Sequence, residues 1–211
     1  MTKVLILGAN GQIARWVVQM LADHKDIDQT LLVRDPNKLS SQEPKNAQIV
    51  IGDVLDSHFL QHIMVGQDVV YANLAGDVDV QAEHIVTAMA ATGVKRLIFV
   101  NSLGIYDEVP GKFGEWNNAE IGSYLNPYRR AADIIEAANV DHTILRAAWL
   151  TDKDEVNYET TERHEPFKGT EVSRKSVAEL IVEIISSPAL YSKANIGVNK
   201  PNTDGDKPAF A

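Results

Sequence analysis

Hydrophobic positions along the chain fall into two kinds of segment that alternate. Short unbroken apolar runs, such as residues 4–7 and 97–100, are typical of parallel strands that are covered on both faces. Longer segments carry apolar residues at steps of three and four, as Ile13, Trp16 and Met20 do, and this spacing predicts helices with one buried stripe. The alternation predicts an α/β fold with a doubly wound, mostly parallel sheet.

The same patterns give approximate bounds for each element. Strands are predicted over residues 4–7, 30–33, 48–51, 68–71, 96–100, 142–145 and 195–198. Helices are predicted over residues 12–22, 57–64, 80–92, 128–138 and 173–186. Residues 37–45 read as a loop or a frayed short helix, and residues 201–211 as a tail. No repeat or linker interrupts the chain, so residues 1–211 are expected to form one domain with a small C-terminal substrate region.

The turn after the first strand is the first candidate for a binding site. It reads G-A-N-G-Q-I-A, and Gly8 and Gly11 allow a tight turn in which backbone N–H groups approach an anion. Ala14 lets the following helix pack close to the strand. The positive end of that helix would face a pyrophosphate, with Asn10, Gln12 and Ile13 as further contacts. A plain strand-to-helix turn would use similar residues.

The end of the second strand suggests which nucleotide is bound. In such folds this position reads the adenosine ribose, where an acidic residue accepts from a 2′-hydroxyl and an arginine pairs with a 2′-phosphate. The chain offers Arg34 followed by Asp35 and Pro36, and Asp35 can instead shape a turn. NADP(H) is therefore the preferred cofactor and NAD(H) a possible one, unless Arg34 is only a solvated surface charge.

The ends of three later strands supply the remaining candidate residues for binding the cofactor and the substrate. Asp53, with Val54 beside it, can face an adenine amino group or cap the next helix. The small residues Ala75 and Gly76 leave room for the ribose and nicotinamide. Ser102 follows the fifth strand, where it can hydrogen-bond a substrate carbonyl or satisfy local backbone.

The amino-acid composition indicates which binding partners, which chemistry and which location to expect. The 211 residues carry a formal net charge of −9 and no Lys/Arg-rich run, which argues against nucleic acid or an anionic membrane as partner. Cysteine is absent, so disulfides and thiolate chemistry are excluded. Of the six histidines, only His58 and His62 stand four residues apart, which a helix surface explains better than a metal, so no metal site is predicted. With no signal peptide or long apolar run, the expected location is the cytoplasm.

Taken in order, several motifs carry a family resemblance over most of the chain. They are Gly8-x-x-Gly11-x-x-Ala14, Arg34, Gly52-Asp53-Val54, Ser102-Leu103-Gly104, and the run 128–146 with Glu136 and Thr143-Ile144-Leu145-Arg146. The set resembles the atypical short-chain dehydrogenase/reductases that include NmrA-like and NAD(P)H-dependent, flavin-reductase-like proteins. The resemblance implies a Rossmann fold with NAD(P)(H) along the glycine turn and substrate over the fifth and sixth strands. It leaves open whether the cofactor is used or only sensed.

The chain departs from the catalytic members of that group. There, a tyrosine and a lysine four residues later share a helix face, and the lysine lowers the pKa of the tyrosine. Here Tyr128 is followed four residues later by Ala132, while Arg129 and Arg130 point elsewhere around a helix. Tyr128 is therefore either a catalytic group without its partner or a packing residue. The family's usual proline after Arg146 is also missing.

Two segments are predicted as substrate-side loops, residues 104–122 and 146–169. The first carries Tyr106, Phe113 and Trp116, which can stack on a planar substrate or fix the loop in place. Its acidic residues, Asp107, Glu108 and Glu115, suggest that a highly anionic substrate is repelled there. Arg174 and Lys175 stand early in a helix, where cations are unfavourable, so they contact another group or are solvated.

Three functions fit these observations. The first is an oxidoreductase that moves hydride from NADPH to a small planar acceptor such as a flavin, quinone or carbonyl compound, with Ser102 and Tyr128 as candidate catalytic residues. The second is a redox sensor that binds NAD(P)(H) and acts through a protein partner without turnover. The third is a nucleotide-sugar or isomerase-type activity, which the missing lysine weakens most because that chemistry needs a base.

Overall fold

The computed structural model of the chain describes residues 1–39 and 44–211. The strands are β1 (Thr2–Leu7), β2 (Ile27–Val33), β3 (Ala47–Ile51), β4 (Val69–Ala72), β5 (Arg96–Ser102), β6 (Asp141–Ala147), β7 (Trp149–Thr151), β8 (Glu159–Thr161), β9 (Glu171–Ser173) and β10 (Ala194–Asn199). The helices are α1 (Gln12–Leu21), α2 (Ser57–Met64), α3 (Val78–Thr92), α4 (Gly111–Ala137) and α5 (Arg174–Ser186).

An eight-stranded sheet in the order β3-β2-β1-β4-β5-β6-β10-β8 forms the centre of the fold. All its neighbours pair in parallel except β10 and β8, which are antiparallel, and β7 and β9 form a separate parallel pair. The sheet confirms the predicted doubly wound α/β fold. The chain winds in one direction from β1 to β3 and in the other from β4, so a crevice opens beyond the carboxyl ends of β1 and β4.

Both faces of the central strands are buried, as the unbroken apolar runs predict. In β1 the side chains of Val4 and Ile6 join the core beneath α1 and α5, while Leu5 and Leu7 join the core beneath α2, α3 and α4. All four are completely buried. Burial of each such side chain stabilises the fold by about 1.5–3 kcal/mol relative to exposure. The strand ends that carry the candidate site are therefore rigidly placed.

The predicted loop over residues 104–122 is wrong from Gly111 onward, because α4 begins there and continues to Ala137. Glycine and proline within the segment made a helix improbable from sequence. The structure uses Gly114 for close packing, since a Cβ at that residue would overlap the carbonyl oxygen of Val109. Pro127 lies inside the helix and removes one backbone N–H donor. Tertiary packing thus overrides the local propensity.

The other irregular segments are more ordered than the sequence suggests. In the segment predicted as a loop or short helix, Pro36–Lys38 form one 3-10 turn, and residues 40–43 lie outside the described part of the chain. The segment 146–169 contains β7 and β8. In the predicted tail, Pro208 is buried and the Ala209 N–H donates to Oε2 of Glu171 over 2.9 Å. Among the described residues, no helix has the length and apolar character needed to cross a membrane.

Candidate functional site

Two cavities lie side by side at the carboxyl ends of the central strands and meet at Asn73 and Leu74. The first, the polar cavity, has a volume of about 280 Å³ and lies over the glycine turn and the end of β2. The second, the apolar cavity, has a volume of about 590 Å³ and lies over the ends of β5 and β6. This is the position where doubly wound folds bind their ligands.

The glycine turn fits closely against the end of β4. Gly8 has a φ of 79°, a left-handed conformation that a side chain would strain. A Cβ at Gly8 would overlap the carbonyl oxygen of Asn73, and a Cβ at Gly11 would overlap Nδ2 of the same residue. The glycines therefore bring the turn and the start of α1 within close reach of the crevice.

The start of α1 is suited to an anion. Its N-cap, Gly11, makes no side-chain hydrogen bond, and the first turn of the helix contains no acidic residue. The first N–H groups of the helix thus have no capping side chain as hydrogen-bond acceptor, and no acidic side chain in the first turn offsets the positive end of the helix dipole. Beside them, Asn10 donates from Nδ2 to the carbonyl oxygen of Asp35 over 2.9 Å, while its buried Oδ1 has no protein partner among the described residues. These features fit a pyrophosphate with a neighbouring hydroxyl donor.

The end of β2 presents cations to the polar cavity. Arg34 and Lys38 both line it. Asp35 uses its carboxylate on the local turn, where Oδ1 accepts from the backbone N and from Nδ2 of Asn37 over 3.0 and 3.1 Å. The turn-shaping alternative for Asp35 is therefore the one that the structure shows. The cations at this position suit a phosphate better than a ribose hydroxyl.

Asp53 and Val54 also line the polar cavity. Asp53 Oδ1 accepts from the backbone N of Leu55 over 3.0 Å. The alternative that Asp53 caps the next helix is wrong, because Asp56 is the N-cap of α2 and accepts from the backbone N of Phe59. Asp53 thus remains a candidate contact for the adenine side of a nucleotide.

The remaining predicted cofactor residues divide between the cavities. Ala75 lines the polar cavity, and Ile13 and Ser102 line the apolar one. The side chain of Gln12 is exposed, and neither Gln12 nor Gly76 belongs to the lining of these two cavities. Gln12 can therefore take part through its backbone N–H at the helix start.

At the end of β5, hydrogen bonds fix the floor of the apolar cavity. The Ser102 hydroxyl donates to the carbonyl oxygen of Leu103 over 3.1 Å, which is the local backbone bond. Asn101 is buried, and its Nδ2 donates to the carbonyl oxygen of Tyr128 over 3.0 Å. Its Oδ1 accepts from the Ser102 backbone N over 2.7 Å. Asn101 thus connects β5 to α4 and sets the distance between Ser102 and Tyr128.

Tyr128 lines the apolar cavity, and its environment disfavours ionisation. Burial raises the pKa of the Tyr128 phenol above its ordinary value. Ala132, where a catalytic lysine would stand, is completely buried in the core. The phenol is therefore protonated at neutral pH, and it has no lysine beside it.

Two of the three aromatic residues in the segment 104–122, Phe113 and Trp116, support the outer side of the cavity through Trp149. Trp149, the first residue of β7, lines the cavity and donates from Nε1 to Oδ1 of Asn117 over 2.9 Å. Trp116 packs against Trp149 with ring centroids 4.7 Å apart, and Phe113 stacks on Trp116 at 6.2 Å. Neither Phe113 nor Trp116 lines the cavity, which fits the alternative that they hold the segment in place.

The prediction that acidic residues repel an anionic substrate fails for Glu108. Its carboxylate is buried and paired with the fully buried guanidinium of Arg146. It also accepts from the backbone N of Gly104 over 3.0 Å and of Tyr106 over 2.9 Å. Its charge is therefore compensated within the protein. The pair holds the segment after β5 against β6.

Several lining residues escaped the sequence analysis. Asn73 gave no signal because its contact with Gly11 depends on the pairing of β1 with β4. Tyr124 lies between the predicted loop over residues 104–122 and the predicted helix over residues 128–138, so neither prediction covers it. Phe210, in the predicted tail, lines the apolar cavity. Arg174, which the sequence analysis singled out as a cation early in a helix, lines this cavity too. Only the position of Lys38, close to Arg34, could have suggested a role from sequence.

Comparison with known proteins shows the family to which the chain belongs. A family model described as NAD(P)H-binding matches residues 8–188. A Rossmann-fold NAD(P)-binding family protein from Shigella flexneri is 54% identical, with a TM-score of 0.88 and 100% of each chain covered. A short-chain dehydrogenase/reductase from Veillonella parvula, solved in complex with NADP, is 27% identical, with a TM-score of 0.93 and 99% of each chain covered.

A sequence relative from Bacillus subtilis is described as an uncharacterized sugar epimerase. It is 26% identical to this chain, and the match covers 98% of this chain and 96% of the relative. The resemblance to the atypical short-chain dehydrogenase/reductases is thus confirmed. A glycine turn, an uncapped helix start and a crevice at the carboxyl ends of the central strands are the features with which doubly wound folds bind nucleotides. The chain belongs to the NAD(P)H-binding family.

Proposed function

We propose that the protein is an NADPH-dependent oxidoreductase that transfers hydride to a small planar acceptor such as a flavin, a quinone or a carbonyl compound. The observation that carries this proposal is the junction of the two cavities at Asn73 and Leu74. A nucleotide held along the polar cavity would direct its nicotinamide end toward the apolar cavity, where a second molecule has room.

The residues of the polar cavity fit NADP(H). The turn from Gly8 to Gly11 and the N–H groups of Gln12 and Ile13 would hold the pyrophosphate. Arg34 and Lys38 would hold the 2′-phosphate through charge-assisted hydrogen bonds. The NADP bound to the Veillonella parvula relative supports NADP binding, and the proposed preference over NAD(H) rests on Arg34 and Lys38.

When bound, NADPH supplies the hydride. The chain contributes position and environment: the apolar walls exclude water, and Leu74 and Ala148 border the space where cofactor and acceptor would meet. Ser102 would hydrogen-bond an acceptor oxygen by rotating its hydroxyl away from the Leu103 carbonyl. Tyr128 would pack beside the acceptor as a protonated phenol. A proton that the reduced acceptor needs would come from solvent, as is feasible for flavins and quinones.

One observation favours the sensor alternative. Ala132 is buried where catalytic relatives of this fold need a lysine, and the pKa of Tyr128 is raised, so the site has no tuned acid or base at this helix. The same observation argues against an epimerase, in spite of the description given to the Bacillus subtilis relative. In the sensor role, the nucleotide would bind as described and a protein partner would read its occupancy.

The test is turnover measured together with binding. NADPH oxidation should accelerate when flavins, quinones and small carbonyl compounds are added one at a time to the purified protein. The affinity of NADPH and NADH should be measured by titration on the same sample. Tight NADPH binding with no oxidation by any acceptor would favour the sensor, and the absence of nucleotide binding at millimolar concentration would refute both functions.

A further inference from the structure

Arg174 is the single charged side chain among the described residues that line the apolar cavity. The rest of the lining is mainly aliphatic and aromatic, with amide and hydroxyl groups from Asn73, Asn101 and Ser102. Arg174 lies at the start of α5 and borders the cavity together with Leu150 and Phe210. A cation at the side of an apolar cavity provides a specific partner for an anionic group on a ligand.

The donors of Arg174 are only partly used within the protein. Nη1 donates to Oδ1 of Asp152 over 2.8 Å, and the buried Nε has no partner among the described residues. The Asp152 side chain is 85% exposed, whereas that of Arg174 is 18% exposed. A single contact to so exposed a carboxylate contributes little, because water solvates the acid almost as well. Asp152 is therefore easily exchanged for another carboxylate.

Lys175, the next residue, is a useful contrast. It also pairs with an exposed carboxylate, that of Asp154, over 2.6 Å, and its ammonium lies 5.2 Å from the ring centroid of Trp16. It does not line the apolar cavity. The two cations share the first turn of α5 and the same kind of partner, but only Arg174 is in reach of a ligand in the cavity.

We propose that the acceptor carries a carboxylate on an apolar, planar body. Arg174 binds this carboxylate in place of the carboxylate of Asp152, which it releases. The inference rests on the proposed function, since it takes the apolar cavity as the acceptor site. The acceptor's ring system would lie between Trp149, Leu150 and Phe210, with its carboxylate directed to the guanidinium. An arginine can bind such a carboxylate through two parallel hydrogen bonds, which the monodentate contact to Asp152 does not provide.

The experiment measures binding rather than turnover. 2-Naphthylacetate and the neutral 2-naphthylacetamide are titrated by calorimetry into the protein saturated with NADP⁺. The acid should bind about tenfold more tightly than the amide, as one charge-assisted hydrogen-bonded pair allows. Arg174→Gln should remove this preference, and Lys175→Gln should keep it. Asp152→Asn should tighten the acid by about threefold and leave the amide unchanged, because it removes the competing carboxylate.

Three results would overturn the inference. One is equal binding of acid and amide to the unmodified protein. Another is an Arg174→Gln variant in which the acid and the amide both bind more weakly by the same factor. Arg174 would then contribute packing to the cavity and would not pair with the carboxylate. The third is a loss of NADP⁺ affinity in that variant with the acid preference retained. Failure of the proposed function looks different: an acid preference that depends on Arg174, without reduction of any acceptor, would leave the anion site established in a protein that does not turn over.

Discussion

Asn73 Nδ2 occupies the space into which a side chain at Gly11 would project. The start of α1 and the end of β4 therefore fit together only because Gly11 has no Cβ. This contact adds close packing against Asn73 to the role proposed for Gly11, which is to let the backbone approach an anion closely. The two roles make different predictions.

Gly11→Ala is expected to lower the free energy of unfolding by about 1–3 kcal/mol, because the added methyl overpacks the junction. It is also expected to weaken NADPH binding. Adding Asn73→Ala should restore much of the stability by removing the overlapping amide, while NADPH stays weakly bound because the methyl still screens the backbone N–H groups. Urea denaturation and nucleotide titration of both variants check this. Full recovery of NADPH affinity in the double variant would reduce the role of Gly11 to packing alone.

Arg34→Ala is expected to weaken NADPH by about 1.5–3 kcal/mol and to leave NADH nearly unchanged, because only NADPH carries the 2′-phosphate that the guanidinium would pair with. Lys25→Ala is a matched control, since Lys25 is an exposed cation just before β2, at the opposite end of that strand. Fluorescence titration with each nucleotide measures the effect. Equal losses for NADPH and NADH would show that Arg34 does not contact the phosphate.

Much of the cofactor side could be predicted from sequence, because its signals are local. The apolar run of β1, the glycines and the periodic pattern of α1 follow one another directly, and parallel strands bring their carboxyl ends to one edge. Arg34 was found by the same reasoning. Asn73 was not, since its importance comes from the neighbourhood of β1 and β4, which are far apart in the chain.

The apolar cavity was harder to predict because its lining residues come from distant segments. The helix α4 contains Gly114, Gly122 and Pro127, which locally favour a loop, and only the packing of Gly114 against Val109 and of Trp116 against Trp149 explains the helix. Phe210 reaches the cavity because the backbone of Ala209 is bound to Glu171 in β9. The sequence of residues 201–211 has no hydrophobic periodicity from which the contact between Ala209 and Glu171 could be predicted.

The raised pKa of Tyr128 predicts how activity depends on pH. Burial disfavours the phenolate and raises the pKa of the phenol above its ordinary value, so the phenol stays protonated at neutral and mildly alkaline pH. The rate of NADPH oxidation should therefore show no alkaline limb from this residue between about pH 6 and 9. Tyr128→Phe should change the rate by less than about threefold and leave the shape of the profile intact. A loss of about a hundredfold, or a limb in that range that disappears in the variant, would show that Tyr128 transfers the proton.

Glu171 predicts how stability changes in acid. Burial raises the pKa of its carboxyl, but hydrogen bonds from Lys153 Nζ over 2.7 Å and from the Ala209 N–H over 2.9 Å outweigh that effect, so the pKa in the folded protein is below the ordinary value. A carboxyl with a lowered pKa stabilises the fold above its unfolded pKa of about 4.3, and this stabilisation is lost as the pH falls through the folded pKa.

Glu171→Gln should therefore lower the free energy of unfolding at neutral pH, and the difference from the unmodified protein should shrink as the pH falls below about 4.3, where Glu171 itself becomes neutral. Urea denaturation at a series of pH values measures the difference. Glu115→Gln is the control, because Glu115 is exposed on α4. The free energy of unfolding of this variant should change with pH in the same way as that of the unmodified protein. A difference for Glu171→Gln that stays constant down to acid pH would mean that the side chain stabilises β9 and the segment around Ala209 by its shape and not by its charge.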